Sequence, residues 1–255
     1  MALCCPMPRG TPTQLPVPAA RARRGYYECR FGQLHVHHAM PLGGGFEEGT
    51  PLLCLHDLPG SGRVFSRLLP LAGEDRSVYA PDLPGFGESD GPSARPSMSE
   101  YAAAIGDFID NMRLRQIAVL GLRGGAVPAT ELALMRPTQL SRVILISVPL
   151  LNESERQSAR SPAQPAASSE SPFRSADAPR WVLEAAAQYP LRERLARVSQ
   201  KMLVLRPRDD LWEATARVRE ALPATRLVEL PQSGLEALAQ APQRIAEAAR
   251  EFLRS

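Results

Sequence analysis

Apolar runs and segments of helical periodicity alternate along most of this chain. Short, largely apolar stretches predict strands of a covered sheet, and they lie at residues 51–56, 77–80, 117–120, 143–147, 202–205 and 226–230. Apolar residues at helical spacing predict a helix over 97–113, which Ser97 or Ser99 would cap. Strands that alternate with helices predict an α/β domain, with a mostly parallel, twisted sheet and helices on both of its faces.

The same patterns predict a hairpin near the start of the chain. Residues 26–31 and 33–38 flank Gly32 as two strands joined by a tight turn. His35 and His37 fall on one face of the second strand. Because no third ligand is evident nearby in the sequence, we predict a polar outer face there and no metal site. Further helices are predicted over 64–71, over 181–198 as one or two helices, over 211–222, and in a closing segment that reaches Leu253.

Changes in composition divide the chain into a tail, one domain and an insert. Residues 1–22 are rich in proline and predict a disordered tail, whereas residues 23–255 predict a single domain. Within that domain, residues 151–198 form an insert whose segment 161–169 is low in complexity. The insert falls where a lid would hang over the sheet, so we expect a short, polar lid.

Charge and composition argue against several classes of protein. The 255 residues include 30 Lys and Arg against 27 Asp and Glu, and this near balance argues against nucleic acid as the main partner. No apolar stretch is long enough to span a bilayer, so we expect a cytoplasmic protein that does not enter a membrane. Four cysteines are too few to staple a chain of this length, so we expect them to be reduced. No pattern indicates a cofactor.

One stretch combines a strand, a sharp turn and a helix. The turn follows the strand over 117–120 and consists of Gly121, Leu122, Arg123, Gly124 and Gly125. This spacing has the outline of a nucleophile elbow, Gly-x-Ser-x-Gly, in which a strained turn lifts a nucleophile above the sheet. Arg123 stands at the nucleophile position, so the fold is recognisable here while the usual chemistry is missing.

Together with two loops, this turn makes the chain resemble the α/β-hydrolase superfamily, in its esterase, lactonase and dehalogenase branch. His56, Asp57 and Leu58 begin a loop that resembles the His-Gly-x-Pro-Gly oxyanion loop of that superfamily. Residues 82–89 match its Asp-x-x-Gly-x-Gly-x-Ser loop. The resemblance covers residues 25–255 and implies an α/β-hydrolase fold.

The resemblance also assigns the positions of a Ser–acid–His triad. It places the nucleophile at Arg123, the acid at Asp210, with Asp209 as the alternative, and the base at Leu235. A guanidinium cannot attack a substrate, and a leucine side chain cannot accept a proton. No histidine follows His56, so no shifted base is available later in the chain.

The neighbouring positions also argue against ordinary hydrolysis. Asp57 replaces a glycine of the oxyanion loop, and its carboxylate would disfavour a developing oxyanion. Ser61 and Ser233 lie near the altered positions, but both are common turn residues. We therefore predict a non-catalytic protein that binds a ligand or a protein partner. The alternative is a hydrolase that acts on an ester or lactone through a non-standard site.

Arg123 itself allows two interpretations. In the first, which we favour, it reaches through the space of the missing histidine and pairs with Asp210, which would close the site. In the second, Arg123 stays free beside the helix N-terminus and holds the carboxylate or phosphate of a small anionic ligand. Because a strained turn would serve no chemistry here, we also expect either a relaxed Arg123 or unusual dihedrals moved to Gly124.

Overall fold

The computed structural model describes residues 20–43, 48–159, 177–231 and 238–255. The strands of these residues are β1 (Arg23–Cys29), β2 (Gly32–Ala39), β3 (Leu52–Leu55), β4 (Val78–Pro81), β5 (Ile117–Leu122), β6 (Leu140–Ile146), β7 (Lys201–Pro207) and β8 (Arg226–Leu230). They form one sheet in the order β1-β2-β4-β3-β5-β6-β7-β8. Neighbouring strands are parallel from β4 across the sheet to β8. In contrast, β1 is antiparallel to β2, and β2 is antiparallel to β4. The predicted hairpin and mostly parallel sheet are therefore confirmed.

Helices follow most of the strands, as the alternating pattern predicts. They are α1 (Leu68–Ala72), α2 (Met98–Asn111), α3 (Ala126–Met135), α4 (Glu153–Ala159), α5 (Ala178–Gln188), α6 (Leu191–Leu195), α7 (Trp212–Ala216), α8 (Val218–Ala221) and α9 (Pro242–Arg254). Ser97 caps α2 through a reciprocal pair of bonds with Glu100, so the predicted start of this helix is confirmed. The helix predicted over 64–71 is instead a 3₁₀ turn followed by α1, and the one predicted over 211–222 is divided into α7 and α8.

The sheet is covered on both faces, which explains its continuously apolar strands. Along β5, Val119 packs into a core layer that includes α2, α3 and α6, while Ala118 and Leu120 pack into the layer that includes α1 and α9. Successive residues of a strand point to opposite faces, so both kinds of position must be apolar in a buried strand. The central strands are therefore held rigidly, and their carboxyl ends provide a fixed base for the loops of the site.

Two predictions concern residues that are not described. The tail over 1–22 lies outside the described residues except for its last three positions, and the low-complexity segment 161–169 lies wholly outside them. The later part of the insert forms two helices, α5 and α6, as one form of the prediction has it. Among the described residues, every helix is too short or too polar to cross a lipid bilayer.

Candidate functional site

The turn between β5 and α3 keeps the backbone form of a nucleophile elbow. Arg123 has a φ of +50°, in the left-handed region that only glycine enters readily, and it opens a 3₁₀ turn over Arg123–Gly125. Gly124 does not share this conformation. The prediction that Arg123 would be relaxed, or that Gly124 would take over the unusual dihedrals, is therefore wrong.

Close packing around the turn explains why the strain persists. A Cβ atom on Gly125 would lie 2.4 Å from the carbonyl oxygens of Leu55 and His56. One on Gly121 would lie 2.8 Å from the Cα of Ala126. The glycines thus let α3 pack directly against the sheet, and the chain must reverse within one residue to enter it. Such strain, on the order of 1–3 kcal/mol, survives where the surroundings leave no alternative path.

The side chain of Arg123 binds three carboxylates. Its Nε donates to Oδ2 of Asp57 at 3.0 Å, and Nη1 donates to Oδ2 of Asp209 at 3.2 Å. Nη1 and Nη2 donate to the two carboxylate oxygens of Asp210 at 2.7 and 2.8 Å. We call these four residues the Arg123 cluster. The geometry is that of the first interpretation, in which Arg123 reaches Asp210, and it uses both acids that the resemblance places after β7.

The carboxylate of Asp57 also binds the backbone donors of the turn. Its Oδ1 accepts from the N–H of Leu58 at 2.7 Å and from the N–H of Gly124 at 2.9 Å. In an α/β-hydrolase, the N–H of the residue after the nucleophile, here Gly124, is one donor of the oxyanion hole. The sequence predicts only that the Asp57 carboxylate disfavours an oxyanion. In the structure its effect is larger, because its own oxygen occupies the place between the N–H groups of Leu58 and Gly124. No sequence signal indicated this contact.

Burial and the charge of Arg123 shift the pKa values of the acids in the Arg123 cluster in opposite directions. The hydrogen bonds from Arg123 hold the pKa of Asp210 below its usual range, although Asp210 is largely exposed. Burial raises the pKa of Asp57, despite the N–H of Gly124 and the nearby guanidinium, which act to lower it. The hydrogen bond with Asp210 raises the pKa of Arg123, so its charge is permanent. One cation thus faces three acidic groups.

His56 has a structural place beside this cluster. Its Nε2 accepts from the N–H of Leu83 at 2.8 Å, which puts the ring proton on Nδ1, and Nδ1 donates to the carbonyl oxygen of Asp57 at 2.7 Å. Complete burial lowers the pKa of His56 to about 4, so the ring is neutral at ordinary pH. With both nitrogens engaged by the backbone, His56 fixes the loop and is not a free base.

The remaining candidates do not assemble into a triad among the described residues. Leu235 and Ser233 lie outside the described part of the chain. Ser61 precedes the 3₁₀ turn that follows β3, and its side chain makes no capping bond there. Ser147, which lies in no recognisable sequence motif, has a φ of +55° after β6, but its side chain is fully buried and cannot meet a substrate.

A second polar cluster lies on the hairpin side of the sheet. His35 and Asp82 are each 1% exposed, and Nδ1 of His35 is 2.9 Å from Oδ2 of Asp82. His37 is partly buried, and its ring lies 4.6 Å from that of His35, centroid to centroid. The predicted polar outer face is therefore wrong, because loops that follow β3 and β4 cover this side of β2. The third polar side chain, which the local sequence did not provide, is that of Asp82, which follows β4.

Comparison with known proteins identifies the family. A profile described as the alpha/beta hydrolase fold matches residues 50–228, which is most of the chain. The chain belongs to this family. The match contains β3, the elbow, and Asp209 and Asp210, so the elements that build the Arg123 cluster all lie within it.

Individual relatives are similar over shorter stretches. An uncharacterized hydrolase of Saccharomyces cerevisiae is 31% identical over 98 residues, 38% of this chain and 34% of that protein. The magnesium-chelatase 30 kDa subunit of Rhodobacter capsulatus is 31% identical over 144 residues, 56% of this chain and 47% of that protein. The chain thus matches between a third and half of the length of these relatives. The solved structure of a thermophilic esterase from Thermogutta terrifontis is 20% identical, covers 91% of this chain and 98% of its own, and has a TM-score of 0.70. At that identity, the likeness shows the fold alone.

Proposed function

We propose that this chain is a non-catalytic member of the α/β hydrolase fold family, which binds a partner and does not hydrolyse a substrate. The observation that carries the proposal is the position of the Asp57 carboxylate, whose Oδ1 accepts from both Leu58 and Gly124. Acyl transfer needs such donors free for the oxyanion that develops in the transition state. Freeing them here would also break the contact between Asp57 and Arg123.

The charges of the cluster favour a structural role for Arg123 over the capture of an anion. Four of the five N–H groups of the guanidinium already donate to carboxylates. A ligand carboxylate or phosphate would bring further negative charge to a place where three acidic groups surround one cation. It would also have to displace hydrogen bonds of nearly ideal length between Arg123 and the three carboxylates. The binding of a small anionic ligand at Arg123 is therefore the less favoured hypothesis.

The partner is proposed to be another protein chain. The Rhodobacter capsulatus relative is named as a subunit of magnesium chelatase, so a protein with a related sequence is named as part of an assembly. A fold whose central turn is closed by its own side chains still offers its helical surfaces for docking. We expect gel filtration of a native extract to place this chain in a complex of larger mass, with a second chain in fixed ratio. Elution as a free single chain would contradict the partner role.

The absence of hydrolysis is tested separately with a fluorophosphonate probe and a small activated ester. The natural protein is expected to remain unlabelled and inactive, while an active serine esterase in a parallel reaction is labelled. A variant with Arg123→Ser, Asp57→Gly and Leu235→His restores the three altered positions and is expected to gain labelling. Arg123→Ser with Leu235→His serves as the matched control, because it differs from the triple variant only in retaining Asp57 in the oxyanion hole, and it should stay silent. Labelling of any serine in the natural protein would contradict the proposal.

A further inference from the structure

The polar cluster on the hairpin side of the sheet has the composition of a metal site. One ligand atom each from His35, His37 and Asp82 lies within 4.8 Å of the other two. Two imidazoles and one carboxylate are a donor set that zinc and similar ions favour. We propose that His35, His37 and Asp82 bind a divalent transition-metal ion of the zinc type, separate from the Arg123 cluster.

One ring nitrogen of this cluster has no hydrogen-bond partner within the described part of the chain. Nε2 of His37 is buried and has no hydrogen-bond partner among the described residues. Buried polar atoms are nearly always bonded, so one that is not calls for an ion, a water or a strained arrangement to explain it. Here the atom belongs to a ring whose neighbours are an imidazole and a carboxylate, and both are types of group that bind metal ions.

Backbone donors fix the side chain of Asp82 for coordination. The N–H of Gly62 donates to Oδ1 of Asp82 at 2.6 Å, and the N–H of Glu88 donates to its Oδ2 at 2.8 Å. Metal-binding carboxylates in proteins are held by such outer bonds. The loop after β3 and the loop after β4 thus aim Asp82 at the face of β2 that carries both histidines.

Glu88 lies beside His35 on the side where a metal-bound histidine usually has an outer partner. When the ion takes the place of the Nδ1 proton of His35, the single proton of the neutral ring lies on Nε2. That nitrogen is 3.9 Å from Oε2 of Glu88, which is longer than a hydrogen bond, so the two groups would have to move about 1 Å closer for the N–H to donate. Tyr26 and Arg63 hold the Glu88 carboxylate at 2.9 Å each. A ligating imidazole commonly donates its other N–H to a carboxylate, which fixes its tautomer.

The distances leave a small adjustment for His37 to make. Bonds of about 2.0–2.1 Å in a tetrahedral zinc site put neighbouring ligand atoms about 3.4 Å apart. His35 and Asp82 are already closer than this, at 2.9 Å, so the ion would spread them slightly while His37 moves inward. His37 is the least buried of the three, so it has the most freedom to turn.

Such an ion would join β2 to the loop that follows β4. Binding to the folded state alone stabilises it, so the proposal predicts that the thermal midpoint rises with the concentration of free Zn²⁺. The residues of this cluster are separate from the Arg123 cluster, so metal binding and the loss of hydrolysis can be tested independently.

The test uses the full chain, without a polyhistidine tag, after treatment with a chelator. Calorimetric titration with Zn²⁺ is expected to show one ion per chain. Titration with Co²⁺ is expected to give the visible bands of a tetrahedral site, without the ultraviolet band of a cobalt–sulfur bond. The same titrations are repeated on a variant with Cys4→Ser and Cys5→Ser, because the thiolates of these cysteines could bind the ions themselves. This variant should still bind one ion per chain.

His37→Asn is the decisive variant, and His38→Asn is its matched control. His38 is the next residue of β2, points to the opposite face and also has an unpartnered ring nitrogen, Nδ1. We expect His37→Asn to weaken Zn²⁺ binding by more than about tenfold, the least expected from damage to a metal site, and His38→Asn to leave it unchanged. Circular dichroism checks that both variants fold. Absence of stoichiometric binding in the natural protein, equal loss in both variants, or a persistent sulfur band would overturn the proposal.

Discussion

The Arg123 cluster and the His35–His37–Asp82 cluster differ in how completely their polar atoms are paired. In the first, Asp57 uses both carboxylate oxygens, and Arg123 donates four bonds within the chain. In the second, Nε2 of His37 is buried without a partner among the residues that the structure describes. A cluster that is complete within the chain has no need of a ligand, whereas an incomplete one leaves a place for it. The elbow thus pairs its polar atoms within the chain, whereas the His35–His37–Asp82 cluster leaves one buried ring nitrogen unpaired among the described residues.

The elbow also shows that backbone and chemistry can separate within one turn. Gly121 and Gly125 still allow α3 to pack against the sheet, and Arg123 still has the strained φ of +50°. The bonds from Arg123 to Asp57 and Asp210 stabilise a conformation that otherwise costs free energy. The strain therefore reflects helix packing in this fold and need not indicate a retained nucleophile.

The largest effect is expected from removal of the central cation. Arg123→Ala leaves three carboxylates without their cation, and Asp57 and Asp209 are largely shielded from water. Since alanine also has a Cβ, the backbone strain is unchanged and the loss reports the side-chain bonds. We expect urea unfolding to show a decrease of about 2–4 kcal/mol in the free energy of unfolding.

Arg226→Ala is the control for this variant. Arg226 pairs with Glu251 at 2.9 Å, but both side chains are well exposed. Such a surface pair contributes about 1 kcal/mol at most. Equal losses in the two variants would mean that the Arg123 cluster contributes no more than an ordinary surface ion pair.

A smaller effect is expected from acid. Arg123 lowers the pKa of Asp210, so the unfolded chain binds a proton more readily than the folded one. This stabilisation is complete above the ordinary aspartate pKa of about 4 and is lost as the pH falls through the lowered value. Because Asp210 is 69% exposed, its share is below about 1 kcal/mol. The difference in the free energy of unfolding between the natural protein and Arg123→Ala should therefore decrease below about pH 4. A difference that stays constant down to pH 3 would contradict this expected pH dependence.

The smallest change in the free energy of unfolding is expected from a substitution in the His35–His37–Asp82 cluster when no metal is present. Nε2 of His37 has no bond to lose within the described residues, so His37→Asn should change the free energy of unfolding of chelator-treated protein by less than about 0.5 kcal/mol. Urea unfolding with and without Zn²⁺ measures both states. A large loss without metal would mean that His37 has a structural partner already.

The sequence was sufficient to predict the strands, the order of the elements and the position of the elbow, because apolar periodicity and glycine spacing are local signals. The meeting of Arg123 with Asp210 also followed, since the resemblance assigns both residues to one site. The double contact of Asp57 did not follow. It depends on the pairing of β3 with β5, in which Leu55 lies beside Gly121, and such a register joins residues that are far apart in the chain.

The burial of His35 was missed for a related reason. Alternation along β2 shows which residues share a face, but it does not show what covers that face. Here Gly62 lies so close that a Cβ on it would be 3.1 Å from Cδ2 of His37, and its N–H binds Asp82. The covering loops come from distant parts of the chain, so a polar outer face and a buried polar cluster have the same local sequence pattern.

The most direct test of the central claim is the coupling free energy between Asp57 and Arg123. A double-mutant cycle with Asp57→Ala, Arg123→Ala and the double variant isolates their interaction from the other bonds of each residue. If Asp57 and Arg123 fill the elbow together, the cycle should give a favourable coupling of about 1–3 kcal/mol. A coupling indistinguishable from zero would mean that the two side chains do not act as a unit, and it would contradict the account of a site closed by its own residues.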